Sequence, residues 1–194
     1  MKLLNKAALA AAVATAVALP MGVHAESNVT TGAAPASLSA TARVNFSVLI
    51  PRFIFLQVGT GTLLAANATI DSIDFTPAVA VVGNGTSVPA TAGSGNLGNG
   101  GVTVRVIGNA GNVSLAATGP ANLTSGSNTI PWTQISTAIT GGATHPTING
   151  ANATFTAASG VVNINGTWVY SYVNSVTPAA GTYTGQVLYT ATTP

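Results

Sequence analysis

The sequence has no cysteine, and only 4% of its 194 residues are charged. The first absence excludes a disulfide-stapled scaffold, a thiolate metal centre and a cysteine nucleophile, so stability has to come from burial, strand pairing or assembly. The second leaves few groups for catalysis. There are two histidines, His24 and His145, and three acidic side chains, Glu26, Asp71 and Asp74. A general acid/base pair, a Ser-His-Asp triad or a zinc site each needs groups this chain hardly has. Asp71 and Asp74 are close in sequence, but a spacing of three on a strand sends two side chains to opposite faces. We therefore expect no enzymatic activity, no metal and no cofactor. His145, before Pro146 in a Gly/Thr-rich stretch, reads as a surface histidine. The two aspartates read as solvated groups that discourage edge pairing.

Positive charge is scarcer than the isoelectric point of about 9.3 suggests. Of the five basic residues, Lys2 and Lys6 lie in the first segment, which leaves Arg43, Arg52 and Arg105 against the three carboxylates. The chain beyond that segment is neutral, so nucleic-acid binding has no electrostatic basis. A neutral surface also offers little repulsion between copies. Long apolar runs are missing too: Ala7 to Leu19 is the longest and falls short of the roughly 20 residues of a membrane span. With Lys2 and Lys6 before it and Val23-His24-Ala25 after it, that run has the pattern of a secretory signal peptide cleaved after Ala25. The expectation is export through the Sec pathway and a mature chain with no membrane span.

What the chain does contain is 47% hydrophobic residues, 22 glycines and much Thr, Ser, Asn and Ala. This is too apolar for a disordered chain and suits many short strands joined by turns. Residues 26–35 read as an unstructured start. From there Leu38, Ala40, Ala42, Val44, Phe46, Val48 and Ile50 are apolar at period two, alternating with Ser39, Thr41, Arg43, Asn45 and Ser47. A strand over this stretch would span roughly 43 Å, more than twice the usual length. Either it bends and switches sheets, or its first half, Val29 to Ala42, leaves its own domain and adds a strand to a neighbour. The domain boundaries that follow are 1–25 for the signal peptide, 26–40 for an N-terminal extension and 41–194 for the folded domain.

The remaining pattern is strand and turn. Arg52 to Val58 is apolar on both faces and predicts a strand covered on two sides. Ile70 to Val82 predicts another, and residues 83–101 a surface loop. Val102, Val104 and Val106, followed by Val113, Leu115 and Ala117, suggest a hairpin. Thr129 to Ile139 has mixed spacing, and Ala151 to Ala157 predicts a strand. Val161 to Ile164, Asn165-Gly166 and Thr167 to Val173 predict a second hairpin with a type I′ turn. The count is about eight to ten strands with no helix after the leader. Trp132, Trp168, Tyr170, Tyr172, Tyr183 and Tyr189 form either a packed core or a platform for stacking sugars, and strand parity favours the core.

The last stretch, Pro178 to Pro194 (PAAGTYTGQVLYTATTP), places Tyr183, Val187, Tyr189 and Ala191 on one face of an extended strand. Gly-Thr-Tyr-Thr followed by an alternating run resembles the closing strand of archaic chaperone-usher pilins and spore-coat-U-like domains. The resemblance implies an immunoglobulin- or pilin-like β-sandwich on the surface of a Gram-negative bacterium, in a fimbrium concerned with adhesion or biofilm. It implies a polymer of copies of the chain, assembled with a periplasmic chaperone and an outer-membrane usher. The donor strand would carry Val29, Leu38, Ala40 and Ala42, and the acceptor would include Tyr183, Val187 and Tyr189. The alternative is a monomeric secreted module that binds carbohydrate or a surface partner.

Overall fold

A computed structural model describes residues 26–194, and the expected signal peptide lies outside them. Ten strands and two single-turn 3-10 segments account for the regular structure of this range. The chain divides into two compact units at Ile50/Pro51. In the first unit the described residues form no strand. The thirteen alternating residues from 38 to 50 are all exposed and unpaired with any strand, contrary to the expected long strand. Alternation gives a strand two faces, but the strand also needs a partner edge for its backbone.

The second unit is an all-β sandwich built from antiparallel pairs. Its first sheet contains β1 (Ile54–Val58), β2 (Val88–Pro89), β3 (Gly101–Gly108), β7 (Ile135–Thr140) and β9 (Val162–Tyr172). β9 is the spine of this sheet. Residues 162–169 pair with β3, which pairs in turn with β1, while 167–172 pair with β7. Because Tyr172 pairs with both Ile135 and Val88, β2 lies on the edge opposite β7 and continues the lane of β3. The second sheet has the order β10 (Leu188–Thr192), β4 (Val113–Thr118), β8 (Ala153–Phe155). A separate hairpin joins β5 (Asn122–Ser125) to β6 (Asn128–Pro131).

Period-two patterning explains the core. Val102, Val104 and Val106 of β3 and Val162, Trp168 and Tyr170 of β9 point inward from the first sheet. They meet Val113 and Leu115 of β4 and Phe155 of β8 from the second. Side chains interdigitating between two sheet faces define a sandwich. A smaller cluster of Val88, Ile130 and Tyr172, with Tyr183 packed against it, closes one end.

Several sequence expectations are corrected here. Asn165-Gly166 is not a turn: β9 runs through it without a break, and Gly166 pairs with Val104. A Cβ on Gly166 would lie 2.2 Å from the Thr140 carbonyl oxygen, so glycine is required for close backbone approach rather than for a positive φ. The β3–β4 pair is not a hairpin either, because the Asn-Ala-Gly-Asn corner passes the chain from one sheet to the other. β1 is an edge strand with Ile54 exposed, not one covered on both sides. Residues 70–78 form no strand, although the Ser72 and Asp74 carbonyls accept from the Gly95 and Thr91 amides, and Val79–Val81 forms a 3-10 turn. Alternation is still visible there, with Asp71, Ile73 and Phe75 half-buried and Ser72, Asp74 and Thr76 exposed. The 83–101 loop contains β2, which holds its Pro89 at the short end of the sheet, where a missing amide donor is tolerated.

Candidate assembly segments and the closing strand

The first unit presents its apolar residues to solvent. Val29 is 86% exposed and Leu38 53%, while Val44, Phe46, Val48 and Ile50 are 61%, 91%, 84% and 73% exposed. Ala40 and Ala42 are exposed as well. Val29, Leu38, Ala40 and Ala42 thus lie outside the sheets, together with Val44, Phe46, Val48 and Ile50, which share the parity of Leu38. The apolar parity of Leu38 continues through Ala42 to Ile50, and the polar parity holds as far as Ser47, after which Leu49 breaks it. Among the described residues of this unit there is one ion pair: Arg43 Nε donates to Glu26 Oε2 at 2.7 Å and lowers the Glu26 pKa. Both groups are exposed, so the pair adds little stability.

The second unit carries the closing strand. Tyr183, Val187, Tyr189 and Ala191 are half-buried while Thr184, Gln186, Leu188, Thr190 and Thr192 are exposed, which is the parity read from the sequence. Only residues 188–192 form the strand. Before it, Thr184 exchanges two 3.0 Å backbone hydrogen bonds with Thr124 of β5. The Tyr183 hydroxyl donates to the Ala179 carbonyl at 2.8 Å. β10 pairs with β4 on one side only, and β1 pairs with β3 on one side only. These two edges, one from each sheet, approach within 8 Å between Cα atoms, and Arg52 Nη2 donates to the Pro194 carbonyl oxygen at 3.4 Å. Beside β1, Pro51, Phe53, Ile54, Phe55 and Leu64 line a shallow cleft of 390 Å³.

No family model, curated protein or solved structure matches this chain. The site is therefore described from its own chemistry. Tyr189 is the polar anchor of the closing strand, and its hydroxyl meets His145 Nε2 at 2.9 Å and the Tyr170 hydroxyl at 3.0 Å. His145 is half-buried and hydrogen-bonded rather than a freely exposed loop residue. Trp168 Nε1 donates to the Ala143 carbonyl, and this fixes the loop so that the imidazole stands edge-on to the Trp168 ring at 4.5 Å between centroids. Burial pushes the His145 pKa below its ordinary value, against a smaller opposing hydrogen bond to the Pro146 backbone. Burial likewise raises both Tyr170 and Tyr189, so the three groups are neutral near pH 7. The cluster is a hydrogen-bonded polar network of half-buried and buried groups between the sheets.

Other candidate residues serve the fold. Asp71 accepts from the Thr60 amide and, at 2.8 Å, from its hydroxyl, so it fastens the turn after β1. Ser72 donates to Asp74. Among the described residues no three His, Cys, Asp or Glu side chains gather as a metal site. Trp168, Tyr170 and Tyr172 are buried, which removes them from a sugar-stacking platform, and Trp132 is half-buried with Nε1 donating to the Pro120 carbonyl at 2.7 Å. Among the described residues no helix is long and apolar enough to cross a membrane.

Proposed function

We propose that this chain is an exported structural subunit of a bacterial surface or matrix fibre, and that it polymerises when the N-terminal segment of one copy adds a strand to another. The observation that carries this reading is the uninterrupted apolar parity from Leu38 to Ile50 on a segment with no strand partner of its own. Strand addition would give that backbone its missing partner and give the alternate side chains pockets. Full burial of a Val, Leu, Ile or Phe side chain is worth about 1.5–3 kcal/mol, and each net backbone hydrogen bond about 0.5–1.5 kcal/mol. Val29, Leu38, Val44, Phe46, Val48 and Ile50 therefore have more to gain from insertion than Ala40 and Ala42. The acceptor in this reading is the side of an immunoglobulin- or pilin-like sandwich where β1 and β10 leave their edges unpaired, with Val187 and Tyr189 on the closing strand. Neutral net charge removes a barrier to packing many copies together. A periplasmic chaperone and an outer-membrane usher belong to the proposal as the means of keeping such a segment from pairing too early.

The experiment is deletion of residues 26–50. We expect denaturant-resistant ladders from the full chain and monomers from the deleted one. Stable monomers from both would end the donor-strand reading.

The second reading, a secreted binding module, is favoured by one observation. The outer face of the first sheet carries polar residues in register across strands, Arg105–Asn165 and Thr103–Thr167–Thr140, with Gln57 buried beside Arg105. Glycan binding lost on Arg105→Ala with the fold intact would favour it.

A further inference from the structure

We propose that His145, Tyr170 and Tyr189 form an acid-sensitive clasp that holds the closing strand in the sandwich and lets it loosen first when the pH falls. The inference does not depend on polymerisation, because every contact lies within one subunit. Three segments meet at the clasp: the loop after β7 through His145, the sheet spine β9 through Trp168 and Tyr170, and β10 through Tyr189. Tyr189 Oη is 2.9 Å from His145 Nε2 and 3.0 Å from Tyr170 Oη, and Tyr170 Oη is 3.4 Å from His145 Nε2. The imidazole stands nearly perpendicular to both tyrosine rings, at 5.8 and 5.7 Å, and edge-on to Trp168. Trp168 in turn packs on Tyr189 at 5.1 Å. β10 has β4 as its only strand partner, and this cluster is the side-chain hydrogen-bonded tie that joins it to β9 of the other sheet.

The titratable groups facing His145 are Tyr170 from β9 and Tyr189 from β10, both uncharged throughout the acid range; Trp168 adds only a neutral ring. Among the described residues Glu26, Arg43, Arg52, Asp71, Asp74 and Arg105 make no hydrogen bond or ion pair with it. A proton on the imidazole would therefore be a partly buried charge without a counter-ion. Protonation also turns an imidazole nitrogen that can accept into one that must donate, which constrains how the two hydroxyls share their protons. The sign follows from linkage. The folded-state pKa is depressed, so the unfolded or opened chain binds the proton first. Stability is complete above the ordinary histidine value of about 6.5 and is lost as pH falls from there to the folded value.

The chain suits a clean test because His24 and His145 are its only histidines, and His24 belongs to the expected leader. Backbone hydrogen exchange is followed on the purified chain at pH 7.5 and 5.0, corrected for the intrinsic pH dependence of exchange. We expect protection of residues 188–192 to fall severalfold at pH 5.0 while protection of 102–106 in β3 holds. His145→Gln, which keeps a side chain able to bond Tyr189, is expected to make the two pH values alike. An imidazole titration by NMR on the unaltered chain covers the case in which that variant fails to fold. Its expected midpoint lies below the ordinary histidine value and coincides with the loss of β10 protection. Unchanged β10 protection at the two pH values, a pH response that survives His145→Gln, or a His145 midpoint at the ordinary value would each overturn the clasp.

Discussion

Gly166 and Tyr172 are the residues whose environments speak most directly about the fold. Gly166 occupies the middle of the sheet spine, and a Cβ there would meet the Thr140 carbonyl at 2.2 Å and the Ala143 Cβ at 2.7 Å. Gly166→Ala should therefore cost stability through overpacking, about 1–3 kcal/mol in denaturant melts. Had Asn165-Gly166 been an exposed type I′ turn, the same change would cost strain without breaking the contact between β9 and the end of β7. Tyr172 is the opposite case. Its hydroxyl is the one buried side-chain polar atom without a partner among the described residues. Tyr172→Phe removes an unsatisfied group and keeps the ring against Phe75, so melts should show unchanged or slightly raised stability. A loss of 2 kcal/mol or more would mean that the hydroxyl has a partner after all.

At the scale of elements, the segment before Pro51 and the sandwich after it should behave differently toward protease. Lysine occurs only at positions 2 and 6, so beyond the expected leader trypsin has Arg43, Arg52 and Arg105 alone to cut. Arg43 and Arg52 are exposed outside any strand, while Arg105 sits mid-strand in β3 between two partners and donates to Gln57 at 3.0 Å. Limited digestion of the unassembled chain should cut after Arg43 and Arg52 and leave residues 53–194 as one resistant fragment by mass spectrometry. Early cutting at Arg105 would contradict the pairing of β3. Elements whose backbone and side chains give the same signal were legible in the sequence: Val102, Val104 and Val106, and the parity of Tyr183, Val187, Tyr189 and Ala191. Partner choice was not. Val106 and Val113 look like hairpin strands, yet period two says only which face is buried, not which sheet receives it. The same holds for Leu38 to Ile50, where alternation was plain and the absence of an intramolecular partner was not. The His145 cluster was hidden for a related reason, since its three members are brought together from separate elements.

For the whole molecule, the all-β sandwich accounts for burial of the aromatic and valine-rich faces without disulfide or metal. Among the described residues it leaves the apolar side chains of 38–50 exposed and their backbone without a strand partner, and the proposed fibre would cover both. If copies exchange strands, disruption should be local to the segment. Phe46→Asp together with Val48→Asp should abolish high-mass species by sedimentation while leaving the melting transition of the sandwich unchanged. In the proposed fibre residues 38–50 gain a strand partner from another copy, and backbone hydrogen exchange over those residues reports that pairing. We expect slow, alternating exchange across 38–50 in the high-mass fraction and fast exchange at every one of those amides in the double variant's monomers. Fast exchange across the segment in a high-mass fraction, or slow exchange in the monomer, would contradict it.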